Sequence, residues 1–467
     1  MTGGARGRVQ ERIAAGFDRT IEDIRAAIRI PGISKSGEGL DQMAAWVAAY
    51  LRDLGAQVRL VPGKVAPIVE GELRGAEGAP TLLFYTLYDV QPADPAEWTS
   101  PPFEARIVDG PAGPRLVGRG AFNSKGPLVG FLAALKAFRE AGVPLPVNIV
   151  FLIEGEEEIG SPSLEPYIRA NLDRLRACDA AYLPYLGTNS KGETPIRLGF
   201  KGLCFLHFSV EGGDWGGPAR HDVHAMHCAW LGSPGWELLS ALATLQSRDG
   251  RLSIDGLPSP PGPDAADRAL IVDAARVVRP ETFLAELGAT RFKEDALFED
   301  LLARFLFEPT LNLDGIWVGT TPPGAEPATH LAHRASAVMD LRFVPGMAVE
   351  ETIASIRAHL DRRGFAHVRM EARNAYPACK CPADSPIVEA LVRACRRHCD
   401  RVTVFPLHAG AAPLYLFSDV IGIPFAFGGL GHGGRPHAPD EYLDVETMRA
   451  HLAAVADFLF EAGERLC

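Results

Sequence analysis

An acidic run that contains Glu156, Glu157 and Glu158 is the first feature of this sequence that could do chemistry. The run directly follows the apolar stretch Pro146 to Ile153, which has the length of a buried strand. Carboxylates crowded at a strand end repel one another, which raises the pKa of at least one of them toward neutrality. Such a carboxyl group suits general acid or base catalysis. A solvated acidic turn is the alternative interpretation.

The segments around this run alternate between strand and helix patterns. Thr81 to Tyr85 is a second continuous apolar run, residues 41–54 carry apolar side chains at helical spacing, and 127–142 opens with Pro and closes with Gly. Continuous apolar strands alternating with helices predict an α/β fold on a mostly parallel sheet, with helices on both faces. Sites in such sheets form beyond the carboxyl ends of strands, where Asp89 and the glutamates stand.

Two other groups of reactive residues favour structural roles. Ser124 and Lys125 are adjacent on a loop, and neighbouring residues rarely align as a catalytic pair. The cysteines 379, 381, 395 and 399 match no common zinc-binding spacing. We therefore predict buried thiols rather than a metal site or a nucleophile there.

Composition places the chain among ordinary globular proteins. Of its 467 residues, 47% are hydrophobic and 22% are charged, and the formal net charge is −11. This balance predicts no affinity for nucleic acid or anionic membranes. No apolar stretch approaches the length of about 20 residues that a membrane span needs, and the N-terminus lacks a secretory apolar core. We therefore expect a cytoplasmic protein with free thiols.

The pattern of predicted strands and helices changes after about Gly199. A Gly-rich turn at 212–217, a strand pattern at 335–343 and a helix pattern at 349–364 are typical of an α+β domain. We predict a catalytic α/β domain whose first part spans 1–200, an inserted smaller α+β domain at 201–375, and the second part of the catalytic domain at 376–467.

Several segments together resemble the M20 family of metal-dependent peptidases and amidohydrolases, most closely its carnosinase-like dipeptidase branch. The matching segments are distributed over nearly the whole chain in the family's order: 83–92, 98–103, 118–126, 154–161, 222–224, 310–316, 341–345 and 437–441. The resemblance implies a zinc-peptidase catalytic domain with an inserted lid and dimerisation domain. It also implies a homodimer and a small amino-acid-derived substrate.

The family's zinc ligands are mostly replaced in this chain. The family uses a His, a bridging Asp, a Glu, a second Asp and a His to hold two zinc ions, with a neighbouring Glu as general base. These ligand positions fall, in that order, on Leu87, Asn123, Glu158, Tyr185 and His437, and the base falls on Glu157. Leucine offers no lone pair, and a neutral amide is a poor bridge between two cations. We therefore expect no metal cofactor. The alternative is a single zinc ion on Glu158, His437 and Asn123.

The resemblance also assigns residues to substrate contact. His224 matches a histidine that polarises the substrate carbonyl across the dimer. Arg342 matches an arginine that binds the substrate carboxylate, and Asn312 matches another polar residue beside the substrate. In a loop where the family has an arginine and an acid, this chain has Leu407 and His408. We therefore expect a substrate other than an ordinary dipeptide, and His408, Asn123 and Tyr185 join the candidate binding residues.

Three functions remain open from the sequence. The loss of zinc ligands beside a retained Glu157, His224 and Arg342 favours an enzyme that transfers acyl or aminoacyl groups or forms amide bonds. The first alternative is a metal-poor or one-metal hydrolase of a modified dipeptide or N-acyl amino acid. The second is a non-catalytic pseudoenzyme that acts as a binding scaffold.

Overall fold

The computed structural model describes residues 2–319 and 329–466, and these form two compact units. The first unit comprises the residues up to Leu198, Cys381–Phe405 and the residues from Leu416 onward. The second comprises Gly199–Lys380 and Pro406–Tyr415. The sequence analysis placed domain boundaries after residues 200 and 375. These boundaries refer to domains that fold independently, and they stay a prediction. Their outer ends, residues 1 and 467, lie outside the described ranges.

The described helices vary from 5 to 27 residues in length. They are α1 (Thr2–Ile28), α2 (Leu40–Asp53), α3 (Lys125–Glu140), α4 (Leu164–Ala170), α5 (Leu172–Arg176), α6 (Pro234–Ala243), α7 (Ala265–Val277), α8 (Pro280–Glu286), α9 (Phe298–Phe307), α10 (Val349–Arg362), α11 (Pro386–Arg396) and α12 (Thr447–Arg465).

The described strands of the first half of the chain are β1 (Gln57–Val61), β2 (Ile68–Leu73), β3 (Thr81–Leu87), β4 (Arg106–Gly110), β5 (Gly113–Val117), β6 (Asn148–Glu154), β7 (Ala180–Pro184), β8 (Thr194–Arg197), β9 (Gly199–Glu211) and β10 (Val223–His224). Those of the second half are β11 (Thr310–Val318), β12 (His330–Leu331), β13 (Arg334–Phe343), β14 (Arg369–Tyr376), β15 (Cys379–Lys380), β16 (Val402–Phe405), β17 (His408–Ala411), β18 (Phe425–Gly428), β19 (Gly433–Gly434) and β20 (Tyr442–Asp444).

The first unit is built on an eight-stranded sheet with the order β1-β2-β6-β3-β7-β18-β8-β16. Its centre is parallel, because β3 pairs in parallel with β6 and β7, and β18 pairs in parallel with β7. The pairs β1/β2, β2/β6 and β18/β8 are antiparallel. A second sheet has the order β19-β20-β5-β4. The predicted mixed α/β fold class is confirmed.

Aromatic packing and one glycine hold α3 in the core of the first unit. Phe131 of α3 stacks on Phe84 of β3 with the ring centroids 3.9 Å apart. Gly130, one residue earlier, faces the buried ring of His451 in α12, and a Cβ there would lie 2.8 Å from ring atom Cδ2. The absent side chain therefore lets the two helices approach closely.

The second unit contains an antiparallel sheet with the order β11-β13-β9-β14. Alternate residues of β9, including Leu206 and Phe208, are buried in a core with Leu238 of α6 and Leu360 of α10. Because side chains alternate across a strand, the other face of β9 carries residues such as His207, which stays partly exposed. Helices packed on an antiparallel sheet give this unit its α+β character. Among the described helices of the chain, none has the length and apolar character of a membrane span.

Candidate active site

The carboxyl ends of β3, β6 and β7 place polar side chains along one edge of the parallel sheet. Leu87, the last residue of β3, stands opposite Glu154, the last residue of β6. The segments that follow these strands, with Asp89 and the three glutamates, therefore begin side by side. Tyr185 directly follows β7. The parallel pairing thus brings together residues that are up to about a hundred positions apart in the sequence.

Asp89 is fully buried and holds the turn that carries the glutamates. Its two carboxylate oxygens accept hydrogen bonds from the backbone N–H groups of Glu157 and Glu158, at 3.2 and 3.0 Å. Burial raises the pKa of Asp89 to about 6. Because both backbone donors point at one carboxylate, the two glutamate side chains leave the turn in defined directions.

Glu158 is the centre of a hydrogen-bonded cluster. The amide Nδ2 of Asn123 donates to its Oε1 at 2.7 Å, and Nε2 of His437 lies 3.0 Å from the same oxygen. The Asn123 Nδ2 and His437 Nε2 atoms are 3.1 Å apart. Gln91 donates to the other oxygen, Oε2, at 2.9 Å. The Glu158 side chain is only 3% exposed, whereas that of His437 is 53% exposed, so the cluster opens to solvent on the histidine side.

A buried ion pair holds Asn123 in this position. Oε1 of Glu441 accepts hydrogen bonds from the backbone N–H groups of Phe122 and Asn123, at 3.0 and 2.8 Å. Its Oε2 accepts a hydrogen bond from Arg119 at 2.8 Å, and both side chains of this pair are almost completely buried. Because Glu441 binds the backbone, it fixes the place from which the Asn123 amide reaches Glu158.

The neighbouring carboxyl groups and the histidine have shifted pKa values. Burial raises the pKa of Glu157 to about 8, and repulsion from Glu158, Glu154 and Asp89 adds to this shift. The hydrogen bond with Glu158 raises the pKa of His437 above its ordinary value. Glu157 therefore keeps a proton near neutral pH and can exchange it with a bound substrate or water.

The side chains of this site fit one divalent cation but not two. Among residues 2–319 and 329–466, no three His, Cys, Asp or Glu side chains form a metal-binding group. Leu87 has no lone pair, and burial raises the pKa of Tyr185 to about 12, so the phenol stays protonated. Glu158, His437 and the amide oxygen of Asn123 would supply three donors once the amide turns over, and three protein ligands are typical of catalytic zinc.

The other predicted substrate residues lie in the second unit. Asp340 joins two of them, because it accepts hydrogen bonds from Arg342 Nε at 2.8 Å and from Asn312 Nδ2 at 3.0 Å. His224 is exposed, and its Nδ1 accepts a hydrogen bond from the Met226 N–H at 3.2 Å. The structure therefore brings Asn312 and Arg342 together and places His224 on a separate two-stranded ribbon.

His408 also belongs to the second unit, because its strand β17 pairs in parallel with β9. Its Nδ1 accepts a hydrogen bond from the Gly410 N–H at 2.9 Å, and its ring packs against Phe200 with the centroids 5.2 Å apart. These contacts hold the ring in place but do not test its predicted role in substrate binding.

A cavity of about 1020 Å³ in the second unit has no predicted site residue in its described lining. It is an open groove along β9, β13 and β14, lined by residues such as Arg357 and Glu371. Because none of its described lining residues is a predicted site residue, we assign the chemistry to the cluster around Glu158.

Sequence reasoning missed three residues that shape the cluster. Gln91 follows Asp89 by two positions, and Glu441 stands in the same short segment as His437. Both are polar residues beside predicted site residues, which is a signal that could have included them. The burial of the Arg119 and Glu441 pair became evident only from the structure.

Comparison with known proteins identifies metal-dependent peptidases as relatives. A Cys-Gly metallodipeptidase of Schizosaccharomyces pombe is 28% identical over 380 residues, which cover 76% of this chain and 75% of that protein. A beta-Ala-His dipeptidase of Rattus norvegicus is 27% identical over 342 residues, which cover 69% of this chain and 65% of that protein. The crystal structure of an M20 family metallo-carboxypeptidase of Sulfolobus solfataricus has a TM-score of 0.83 at 29% identity, covering 95% of this chain and 99% of the other.

These relatives contradict the expectation that the chain needs no metal cofactor. Two of the three are named as metal-dependent enzymes, and they are similar to this chain over most of its length. The prediction of no cofactor is therefore wrong in the light of the relatives. The physical reason is that counting lost ligands underestimates a site that retains its buried carboxylate, its histidine and an amide.

The family itself is established by a match that runs through both units. The profile of peptidase family M20/M25/M40 matches residues 83–461, which include Asn123, the glutamates and His437. The match covers more than half of the chain, and the fold of the first unit carries the cluster at the carboxyl ends of its parallel strands. The chain therefore belongs to peptidase family M20/M25/M40.

Proposed function

We propose that the protein is a hydrolase of small peptides that uses a single divalent cation. The observation that carries this proposal is the convergence of Asn123, Glu158 and His437 within 3.1 Å, beside the buried carboxyl group of Glu157. The relatives support it, since two of them are named as dipeptidases. Acyl transfer, which the sequence analysis favoured, has no such support. The one-metal hydrolase replaces it.

Each residue of the cluster has one task in this proposal. Glu158, His437 and the Asn123 amide oxygen would hold the cation, and when bound the cation supplies Lewis acidity. The ionised form of Glu157 takes a proton from the attacking water and returns it to the leaving amine, because a pKa of about 8 leaves part of the Glu157 population ionised near neutral pH. Gln91 keeps the second oxygen of Glu158 oriented through its hydrogen bond.

The family resemblance also gives three residues of the second unit a role in substrate binding. Arg342 binds the main-chain carboxylate of the peptide, because a guanidinium pairs well with a carboxylate. Asp340 orients it through Nε and also orients Asn312. His224 donates a hydrogen bond to the scissile carbonyl, as the family resemblance implies.

The test combines metal analysis with peptide hydrolysis. We expect about one equivalent of Zn²⁺ or Mn²⁺ per chain by elemental mass spectrometry, and its loss in Glu158→Ala and His437→Ala. We also expect Glu157→Gln to retain the metal and to lower kcat by about 10²–10⁴-fold on a dipeptide panel. Glu156→Gln is the matched control, because Glu156 accepts hydrogen bonds from the backbone of Val65 and Ala66 instead. Equal activity of Glu157→Gln and the native chain would refute the proposal.

We also propose that the second unit forms a homodimer. Edge strand β11 exposes Leu313, Trp317 and Val318, and the neighbouring helix α6 exposes Trp236. An unpaired edge strand beside an apolar patch is typical of an interface. Light scattering should give twice the chain mass of 50.2 kDa, and Trp317→Glu should give the monomer. A native chain that is monomeric at micromolar concentration would contradict the dimer.

A further inference from the structure

Arg197 is a partly buried arginine without an acidic partner in the described part of the chain. It ends β8, where it stands opposite Phe427 of β18. Burial lowers the pKa of its guanidinium, and the one group among the described residues that acts on it electrostatically is the side chain of Tyr185. By contrast, the buried guanidinium of Arg119 is paired with Glu441.

The ring of Tyr185 packs between Phe427, which stands opposite Arg197 in the sheet, and Phe122. Its ring stacks on Phe427 with the centroids 5.3 Å apart and meets Phe122 edge-on at 5.1 Å. Phe122 directly precedes Asn123, whose amide reaches Glu158. A ring stacked on one side and blocked on the other has little freedom, so its hydroxyl group keeps a fixed position. That hydroxyl has no hydrogen-bond partner within the described ranges.

The Arg197 guanidinium and the Tyr185 hydroxyl are two donors without a partner in the described ranges, and a ligand with acceptor atoms would satisfy both. A guanidinium withdrawn from water loses hydration, and proteins normally compensate this loss with a carboxylate or a phosphate. A phenol hydroxyl next to it adds one more donor, and the ring faces exclude water. A carboxylate has four lone-pair directions and would satisfy both groups at once.

We propose that Arg197 and Tyr185 form an anion subsite of the peptidase that binds the side-chain carboxylate of an acidic residue in the substrate. This inference rests on the proposed function, because Arg342 is assigned there to the main-chain carboxylate. Arg197 then takes a second carboxylate. The substrate class is therefore small peptides that contain Glu or Asp.

The first experiment compares two nearly isosteric peptides, Ala-Glu and Ala-Gln. The native enzyme should favour Ala-Glu by about tenfold to a hundredfold in kcat/KM, the range of one charge-assisted pair. In Arg197→Met the ratio of kcat/KM for Ala-Glu to that for Ala-Gln should fall to about one, through a higher KM for Ala-Glu and with kcat little changed. In Tyr185→Phe the preference for Ala-Glu should be reduced but not lost. Arg74→Met, which changes an exposed arginine of the same unit, should keep the full preference.

If Arg197 instead binds the main-chain carboxylate of the substrate, the experiment gives a different result. If Arg197→Met abolishes discrimination between Ala-Gln and its C-terminal amide, and Ala-Glu is not preferred, Arg197 binds the main chain and the proposal is overturned. If Arg197→Met fails to fold, judged by its thermal unfolding, Arg197→Lys replaces it. Arg197→Lys should keep part of the preference, because its charge remains while the bidentate geometry is lost.

A binding measurement separates this proposal from the proposed function. Calorimetry with glutarate on the intact chain in chelator should show binding that glutaramide does not show and that Arg197→Met weakens at least tenfold. If no peptide is hydrolysed but this binding is found, the subsite stands and the peptidase assignment falls. If peptides are hydrolysed without preference for Ala-Glu, or glutarate does not bind, the subsite is refuted.

Discussion

Asn123→Asp tests the idea that one carboxylate and one amide define a single-cation site. In the native chain the Asn123 amide donates to Glu158 Oε1 at 2.7 Å. The substitution changes almost no volume but replaces this donor with a carboxylate oxygen. Two carboxylates then face each other beside the buried Asp89 and Glu157, and only a proton or a cation can relieve their repulsion.

The loss of stability in Asn123→Asp can be estimated from the short separation of the two carboxylates. Two unit charges about 4 Å apart, with an effective dielectric constant of about 20, repel by about 4 kcal/mol. The lost hydrogen bond to a charged group adds about 1.5–3 kcal/mol, partly offset when one carboxyl group stays protonated. We therefore expect the free energy of unfolding to fall by about 4 kcal/mol at pH 8 in chelator. A bound divalent cation should recover most of this loss.

The assay is thermal and urea unfolding of both chains, with chelator and with added Zn²⁺ or Mn²⁺. Asn189→Asp is the matched control, because Asn189 makes the same type of hydrogen bond to Glu193 at 2.9 Å on the exposed surface. There solvent screens the charges, so we expect a change below about 1 kcal/mol and no cation effect. The reasoning is refuted if Asn123→Asp in chelator is as stable as the native chain, or if the cation raises both melting temperatures equally.

Three further predictions concern the scaffold of the first unit. His451 is buried and burial lowers its pKa from 6.5 to about 4, so stability should be full above pH 6.5 and fall by about 3 kcal/mol as pH drops toward 4, a slope that should vanish in His451→Gln. Gly130→Ala should cost about 1–3 kcal/mol in urea unfolding despite its better helix propensity, because the new Cβ meets the His451 ring, and a stabilised variant would contradict this packing. Arg119→Met leaves Glu441 buried without its partner and should cost about 3–5 kcal/mol, most of which the double variant with Glu441→Gln should recover.

Local sequence patterns predicted the main elements of the first unit well. The apolar runs at 81–85 and 146–153 became β3 and β6, and the helical patterns at 41–54 and 127–142 became α2 and α3. Apolar side chains repeat with the period of each element, so such patterns are readable without any distant contact. The sequence patterns gave no prediction of secondary structure for the residues of α1, which form a helix of 27 residues. The role of this helix depends on packing against α3 and α12.

Residue types and family spacing also identified the candidates Asn123, Glu157, Glu158 and His437, but their chemistry was judged from missing ligands alone. That judgement led to the prediction of no cofactor, which the metal-dependent relatives contradict. A neutral amide beside a buried carboxylate and a histidine still offers three donors, and this arrangement is visible only when distances are known. That Leu87 and Tyr185 stand where the family has zinc ligands stays a prediction.

The sequence by itself determined the α/β fold class and the family, because periodicity and motif order are properties of the chain. Only the tertiary structure decided that Glu158 is shared by Asn123, Gln91 and His437, and that Arg197, opposite Phe427 in the sheet, has no acidic partner among the described residues. These relations join residues from different strand ends, and they depend on strand order and register in the sheet. Hydrogen bonding and pKa values follow from distance and burial, which appear only after the chain has folded.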